Sequence, residues 1–321
     1  MTPTAQHNQA LWYRHFGAPE HTLRLEQTPL PPATDDTLRV RMLYAPINAS
    51  DLIPITGAYG HRISPPLVAG YEGIGRVISA PQSHRHLVGE RVLPLRGQGT
   101  WQSVVTCAPG QAIPVPETID TRLAARGYIN PLAAALMLRQ HPPAGKHVLL
   151  TAAGSDCAML LGQWALQHGA RSVTGIHRSA VHAGRLTGCG IRPLIQHDTA
   201  GIVRAARTAD LVFDATGGDL AQAILAQLPP AAVFICYGLL SGKPFRQLHP
   251  LPRICWFHIR NTLATLSDPQ WQALFTGIWP QLAASHLSNS QPFALADWQQ
   301  AIRYYYQTGR QERPLLVFAA K

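Results

Sequence analysis

The chain has 321 residues, 46% of them hydrophobic and only 14% charged, which suits two domains with buried cores and excludes a disordered chain. No apolar run reaches the ~18 residues of a membrane-spanning helix, and the N-terminal stretch lacks the pattern of a secretory leader, so a cytoplasmic protein is expected. The formal net charge is +10, from 24 Arg and three Lys against 17 acids. No basic run interleaves with aromatics, which argues against nucleic acid and for phosphate-bearing small molecules or an acidic carrier partner.

Residues 1 to about 120 read as β-rich. The apolar segments 38–47 (LRVRMLYAPI), 73–80 (GIGRVISA) and 90–95 (ERVLPL) are separated by Pro, Gly and Asn. From about 121 the spacing becomes helical through TRLAARGYINPLAAALMLRQ, until Pro142, Pro143 and Gly145 break it. Short apolar runs then alternate with helices. Strands are predicted at 147–153, 172–177, 210–216 and 231–238, with a helix at 159–170 after the first of them. That alternation indicates an α/β, doubly wound parallel sheet. Near the C-terminus come an amphipathic helix (ALADWQQAIRYYYQTG) and one strand, RPLLVFAA, expected to return to the N-terminal β-rich domain. The predicted organisation is a discontinuous outer domain, residues 1–122 and 265–321, with a Rossmann-type dinucleotide domain at 123–264 inserted in it.

Five cysteines (Cys107, Cys157, Cys189, Cys236, Cys255) are scattered and never spaced CxxC, so buried free thiols are expected, not disulfides or a zinc knot. Fifteen histidines include no HExxH, and His84 and His86 flank Arg85 in a polar loop.

In a doubly wound sheet the first strand-to-helix turn cradles the cofactor's pyrophosphate. Here it runs through Thr151, Ala152, Ala153, Gly154, Ser155, Asp156, Cys157 and Ala158, a small-residue pattern without GxGxxG. Asp156 would repel a phosphate unless its side chain turns away, for instance to cap the helix. After the second strand comes Arg178, with no acid until Asp198, while Arg204 and Arg207 sit on a later helix. An NAD site needs an acid there and an NADP site a cation, so NADPH is expected over NADH.

The run from Ala45 to Asp51, then Gly57-Ala58-Tyr59-Gly60, then Pro66 to Gly73, resembles the catalytic core of the medium-chain dehydrogenase/reductases. Gly99-Thr100-Trp101, Asn130-Pro131 with Met137-Leu138, Tyr237-Gly238, and Arg253 with Trp256 extend the likeness in order, so it covers about residues 38 to 260. The chain looks most like the mitochondrial-type trans-2-enoyl-thioester reductases, with quinone oxidoreductases as more distant relatives. The resemblance implies a GroES-like catalytic domain beside the Rossmann-type one, and a homodimer. Where the zinc alcohol dehydrogenases place a Cys and a His beside the Glu, this chain has Asn48 and Tyr71-Glu72, and the cysteine-rich zinc lobe is absent. No metal is expected.

Reduction of a C=C bond conjugated to a carbonyl needs hydride at the β-carbon, donors for the developing enolate and a proton at the α-carbon. A neutral phenol suits the last role. The resemblance places it on Tyr59, with Asn48 as a neighbouring amide that positions Tyr59, the nicotinamide or the substrate. It also implies that Asn130 lies near the nicotinamide ribose, that the backbone of Tyr237 and Gly238 approaches the cofactor, and that Trp256 lines the acyl site. From the residues alone Asn130 reads as a helix N-cap and Trp101 as packing. The turn residues Ala153, Gly154, Ser155, Asp156 and Cys157, with Arg178, complete the expected cofactor site. The expected reaction is NADPH-dependent reduction of an enoyl group on CoA or an acyl carrier protein. Reduction of small quinones or enones is an alternative, and a non-catalytic pathway partner with a decayed cofactor turn is another.

Overall fold

The computed structural model describes residues 7–30, 34–247 and 249–318, so the last residues of the predicted terminal strand (319–320) lie outside the described residues. The chain divides into two units. The first holds the described residues up to Ile129, Leu266–Ala283 and those from Asn289; the second holds Asn130–Thr265 and Ala284–Ser288.

The first unit is β-rich. A seven-stranded sheet runs Ser290–Ala294, Arg313–Val317, Leu38–Pro46, Ile74–Ser79, Arg91–Pro94, Ala112–Pro114, with Val104–Cys107 also paired to Leu38–Pro46. A three-stranded sheet pairs His7–Tyr13 with Leu23–Pro29 and Leu67–Val68. Period-2 patterning sets the register. Leu38, Val40 and Met42 are buried while Arg39 and Arg41 alternate with them, so the apolar set faces one core. Leu11, Leu23, Ile47, Ile55, Trp101, Trp298 and Leu316 complete that core. The C-terminal strand Arg313–Val317 joins the sheet antiparallel to Leu38–Pro46.

The second unit is a six-stranded, all-parallel sheet. Its order is Arg192–Ile195, Ser172–His177, His147–Leu150, Leu211–Asp214, Val233–Cys236, Arg253–Trp256. In chain order this is 3-2-1-4-5-6, the Rossmann arrangement, whose switch point lies at the first and fourth strands. Both faces are covered, so Val148, Leu149, Leu150, Leu211, Val212 and Phe213 are all buried.

The helical run at 121–140 is two helices, Thr121–Ala124 and Ile129–Gln140. Asp120 caps the first by accepting from the N–H groups of Arg122 (2.9 Å) and Leu123 (3.0 Å). At the start of the second, the Glu72 carboxylate accepts from the N–H groups of Tyr128 (3.1 Å) and Ile129 (2.7 Å). These bonds keep the chain in the first unit until Ile129, later than the 122/123 junction read from the pattern. At the other junction, helix Asp268–Ala283 stays with the first unit because Trp271 and Phe275 pack on the Tyr128 ring at 5.6 and 6.5 Å. Ala284–Ser288 belongs to the second unit, where Ser285 accepts from Trp164 Nε1 (2.9 Å) and the His286 backbone exchanges hydrogen bonds with Gln163 (3.0 and 2.8 Å).

Candidate functional site

In the second unit, the strand His147–Leu150 ends in the turn at Thr151 to Ser155 and continues as helix Asp156–Gln167. Ala152 has φ +48°, left-handed backbone that costs a residue with a Cβ about 1 kcal/mol or more. The surroundings hold it there. The Ala153 N–H donates to Ile176 O (2.9 Å) and the Ser155 N–H to Ala152 O (2.9 Å). Ala153 is fully buried against Gly175, where a Cβ would stand 2.7 Å from the Ala153 methyl. Ser155, not Asp156, is the N-cap, accepting from the Ala158 N–H at 3.3 Å. Asp156 is the first helical residue. It is buried and accepts from the Ser288 hydroxyl (3.2 Å), so its carboxylate is engaged within the unit. The capping role considered for Asp156 thus belongs to its neighbour, because the helix starts one residue later than the cap.

Beneath the turn lies a carboxylate that sequence reading passed over. Asp214 ends the fourth strand, fully buried, and accepts from the Thr151 hydroxyl (2.6 Å) and the N–H groups of Thr216 (3.1 Å) and Gly217 (2.9 Å). Burial raises its pKa, and these bonds oppose the rise. Thr151 Oγ1 also accepts from the Ala215 N–H (2.9 Å), which locks the first and fourth strand ends together. A charged residue closing an apolar strand (DLVFDAT) was the available signal.

The basic residues near the turn are differently placed from expectation. Arg178 follows the second strand and is exposed. Arg185 and His182, on the next segment, meet the turn itself. Arg185 Nη2 donates to Gly154 O at 2.8 Å, and a Cβ on Gly154 would lie 2.6 Å from the His182 ring. Neither was singled out by the sequence, since a helical Arg and His carry no local signature of the glycine they reach.

Asn130, Cys157 and Tyr237 come together. The Cys157 thiol donates to Asn130 O (3.9 Å), and Asn130 stands inside the first turn of its helix instead of capping it. The buried Tyr237 hydroxyl lies beside the Cys157 thiol. Burial, then the neighbouring thiol, hold its pKa well above the usual tyrosine range. Gly238 packs on the Ala215 backbone, 3.1 Å from its carbonyl oxygen to where a Cβ would be. Trp256 ends the edge strand, 55% exposed, stacked on Phe245 at 5.2 Å. The residues around the turn fit a dinucleotide: a helix N-terminus and a small-residue turn approached by two basic side chains.

In the first unit, Tyr59 sits in a tight turn after the short helix Ile53–Thr56, which Gly57 closes at φ +89°. Tyr59 O accepts from the N–H groups of Arg62 (3.0 Å) and Ile63 (3.1 Å). The Arg62 guanidinium lies 3.9 Å over the half-buried Tyr59 ring. Tyr71, 44% exposed, lies within electrostatic reach of Tyr13, Tyr59 and Arg62, and desolvation pushes its phenol up to about 12.

Asn48 belongs to a buried acid network. Its Nδ2 donates to Glu72 Oε1 (2.7 Å), and its side chain also bonds Asp51. Asp51 accepts from the N–H groups of Asn48 and Tyr71, both at 2.7 Å. Burial and then the charge of Glu72 push Asp51 up to about 7. Burial likewise raises Glu72, opposed by the Ile129 N–H, Asn48 and the Arg313 charge. Arg313, buried on the C-terminal strand, donates to Ile47 O at 3.2 Å. Trp101 is core, its Nε1 bonded to Pro46 O (3.2 Å), and Gly70 at φ +90° leaves room for its ring.

Residues 34–117 match the alcohol dehydrogenase GroES-like domain. The mitochondrial enoyl-[acyl-carrier-protein] reductase of Rattus norvegicus is 30% identical over 252 residues, covering 74% of this chain and 67% of the relative. This chain belongs to the zinc-free medium-chain dehydrogenase/reductases. The corresponding Arabidopsis thaliana enzyme is 30% identical over 268 residues, with the same coverage. A solved structure of a Bacillus thuringiensis protein assigned as an NADPH:quinone reductase is 30% identical, superposes with a TM-score of 0.90, and is matched over 99% of its length and 97% of this chain. The reductase is thus an oxidoreductase of the class that acts on C=C and related groups. Among its described residues no three His, Cys, Asp or Glu side chains gather as a metal site requires.

Proposed function

We propose that this reductase uses NADPH to saturate the C=C bond of an α,β-unsaturated acyl thioester carried by CoA or an acyl carrier protein. The observation that carries the reading is the donor inventory of the first unit. The Asn48 amide nitrogen is engaged by Glu72 and the Tyr71 N–H by Asp51, while the Tyr59 phenol stands half-buried in its turn under Arg62. The enoyl-[acyl-carrier-protein] reductases at 30% identity support the substrate class, and the net charge of +10 suits either anionic carrier.

The cofactor would rest on the second unit, at the turn Thr151 to Ser155 and the N-terminus of helix Asp156–Gln167, with Arg185, His182 and Arg178 as the cations for its 2′-phosphate. When bound, NADPH supplies the hydride for the substrate's β-carbon. Tyr59 gives its hydroxyl proton to the α-carbon and recovers one from solvent, leaving a saturated thioester. Asn48, Asp51 and Glu72 fix the strand end and loop around that donor. A quinone or enone reductase is the second reading, favoured by the 0.90 TM-score match to the Bacillus thuringiensis protein.

Titration with NADPH and NADH, followed by tryptophan fluorescence, tests the cofactor; consumption of reduced nicotinamide with crotonyl-CoA or a quinone tests the reaction. Tight NADPH binding, weaker NADH binding and enoyl turnover that falls ~10²–10⁴-fold in Tyr59→Phe are expected. Quinone turnover untouched by Tyr59→Phe, with no enoyl turnover, would move the assignment to the second reading.

A further inference from the structure

We propose that Arg62 is a positioning residue for the proton transfer, a cation held over the face of the Tyr59 ring that stabilises the phenolate left when Tyr59 gives up its proton. This rests on the reading of Tyr59 as the proton donor of the enoyl reduction. The two side chains meet because the chain folds back on itself between them. Gly57 closes helix Ile53–Thr56 at φ +89°, and a Cβ on Gly57 or Gly60 would lie 3.2 or 3.3 Å from the Phe16 side chain, so the turn is seated on that ring. The Gly17 N–H donates to Ile55 O (2.9 Å), which ties the segment carrying Phe16 to the same helix. Within the turn the Gly60 N–H donates to Gly57 O (2.9 Å) and the Arg62 N–H to Tyr59 O (3.0 Å). These bonds set Arg62, three residues on, over the phenol ring, its guanidinium carbon 3.9 Å from the ring centroid. That is well inside the ~6 Å reach of a cation–π contact. Among the described residues the Arg62 guanidinium has no ion pair with a carboxylate, so the aromatic face is what its charge meets in the turn.

The electrostatics of that stack change during the reaction. Once the substrate's β-carbon has received hydride, the C=C electron pair lies on the thioester as an enolate, and the α-carbon takes the Tyr59 proton. The phenol O–H bond breaks, a C–H bond forms, and the O–H electron pair stays on Tyr59 as a phenolate until solvent returns a proton. The neutral ring offers a guanidinium only its quadrupole, whereas the phenolate spreads a full negative charge into the same ring. Attraction to Arg62 therefore grows as the proton leaves. An interaction that strengthens toward the transition state lowers the barrier, and one that stays constant does not. Arg62 needs no contact with substrate or cofactor to act in this way, so its effect belongs in kcat and not in KM.

Steady-state reduction of crotonyl-CoA with NADPH by Arg62→Leu, Arg62→Lys, Tyr59→Phe and the Tyr59→Phe/Arg62→Leu double variant tests the proposal. Arg62 is exposed, so Leu replaces it without opening a cavity. Arg62→Leu is expected to lower kcat about tenfold, with the crotonyl-CoA KM and the NADPH Kd unchanged. Arg62→Lys, which keeps the charge, should stay within about threefold of wild type. In the Tyr59→Phe background Arg62→Leu should cost nothing further, because no phenolate forms there. A Leu variant with the wild-type kcat would overturn the proposal, and so would a Lys variant as slow as Leu, since shape and not charge would then matter. An equal loss with and without the Tyr59 hydroxyl, or a rise in KM alone, also counts against it: Arg62 would then serve the fold or the substrate's anionic carrier. If Tyr59→Phe alone turns over crotonyl-CoA like wild type, or wild type does not turn it over at all, the reading of Tyr59 as donor fails and this inference goes with it.

Discussion

Asp51→Asn probes the buried acid network through its pH dependence. Asp51 is buried with Glu72 beside it, and its carboxyl is pushed up to about 7. In the unfolded chain an aspartate titrates near ~3.9. Between those values the native state holds a proton that the unfolded state has released. Stability therefore falls as pH rises through this window, with a slope from this one group approaching ~1.4 kcal/mol per pH unit. Integrated from ~pH 5 to ~pH 8, the loss is about 2–3 kcal/mol. The Asn variant has no such titration, but its amide can accept from only one of the two N–H groups that Asp51 binds, those of Asn48 and Tyr71. That is a fixed loss of about 1–3 kcal/mol. The variant should be the less stable protein at ~pH 5 and should draw level with wild type, or pass it, by ~pH 8. Urea unfolding at the two pH values measures the difference, each unit's transition being fitted separately if they part. A wild-type–variant gap that stays constant across this range would refute the reasoning.

The cations at the turn make a second prediction. Arg185→Ala should raise the NADPH Kd about tenfold and the NADH Kd less, His182→Gln should act in the same direction, and Arg178→Ala should do less than either. Side-by-side titrations decide it, and equal losses for both nucleotides would show that Arg185 shapes the turn without reading the 2′-phosphate. Thr151→Val removes the hydroxyl that bonds Asp214 and accepts from Ala215, leaving a buried carboxylate less satisfied. It should lower unfolding stability by about 2–4 kcal/mol, and an unchanged denaturation midpoint would mean that Asp214 is held by its backbone partners alone.

Much of the second unit was legible because its signals are local. Apolar runs such as HVLL and LVFD fix buried strands, and their alternation with helices fixes a parallel sheet. The turn could be located for the same reason. What escaped are contacts whose partners lie far apart in sequence. Asp214 with Thr151, Arg185 with Gly154, and Glu72 with Asn48, Tyr128 and Ile129 are tertiary pairings that no periodicity announces. Local reading also misjudged caps. Asn130 and Asp156 are good N-cap types, yet the helices begin so that both fall inside the first turn, with Ser155 and Glu72 supplying the acceptors. In the first unit the motif residues were visible, but not that Asn48 would be drawn into an acid pair.

For the proposed enoyl reduction, that pairing leaves two phenols of the first unit, Tyr59 and Tyr71, as candidate proton donors. Glu72 receives three hydrogen bonds and Asp51 two from the backbone, and both carboxyls are buried, so neither offers a proton to a substrate. The Asn48 amide nitrogen is directed at Glu72. Tyr59 and Tyr71 remain, and they differ in setting. Tyr71 has Tyr13, Asp51 and Tyr59 for neighbours, and burial with those partners pushes it up to about 12, which makes it a reluctant donor. Tyr59 has Arg62 stacked on its ring, which orients the phenol. Tyr71→Phe should therefore leave enoyl turnover within about threefold of wild type, while Tyr59→Phe removes ~10²-fold or more. A Tyr71→Phe loss as deep as that of Tyr59→Phe would mean that the two phenols pass the proton in series, with Tyr59 the carrier and not the source.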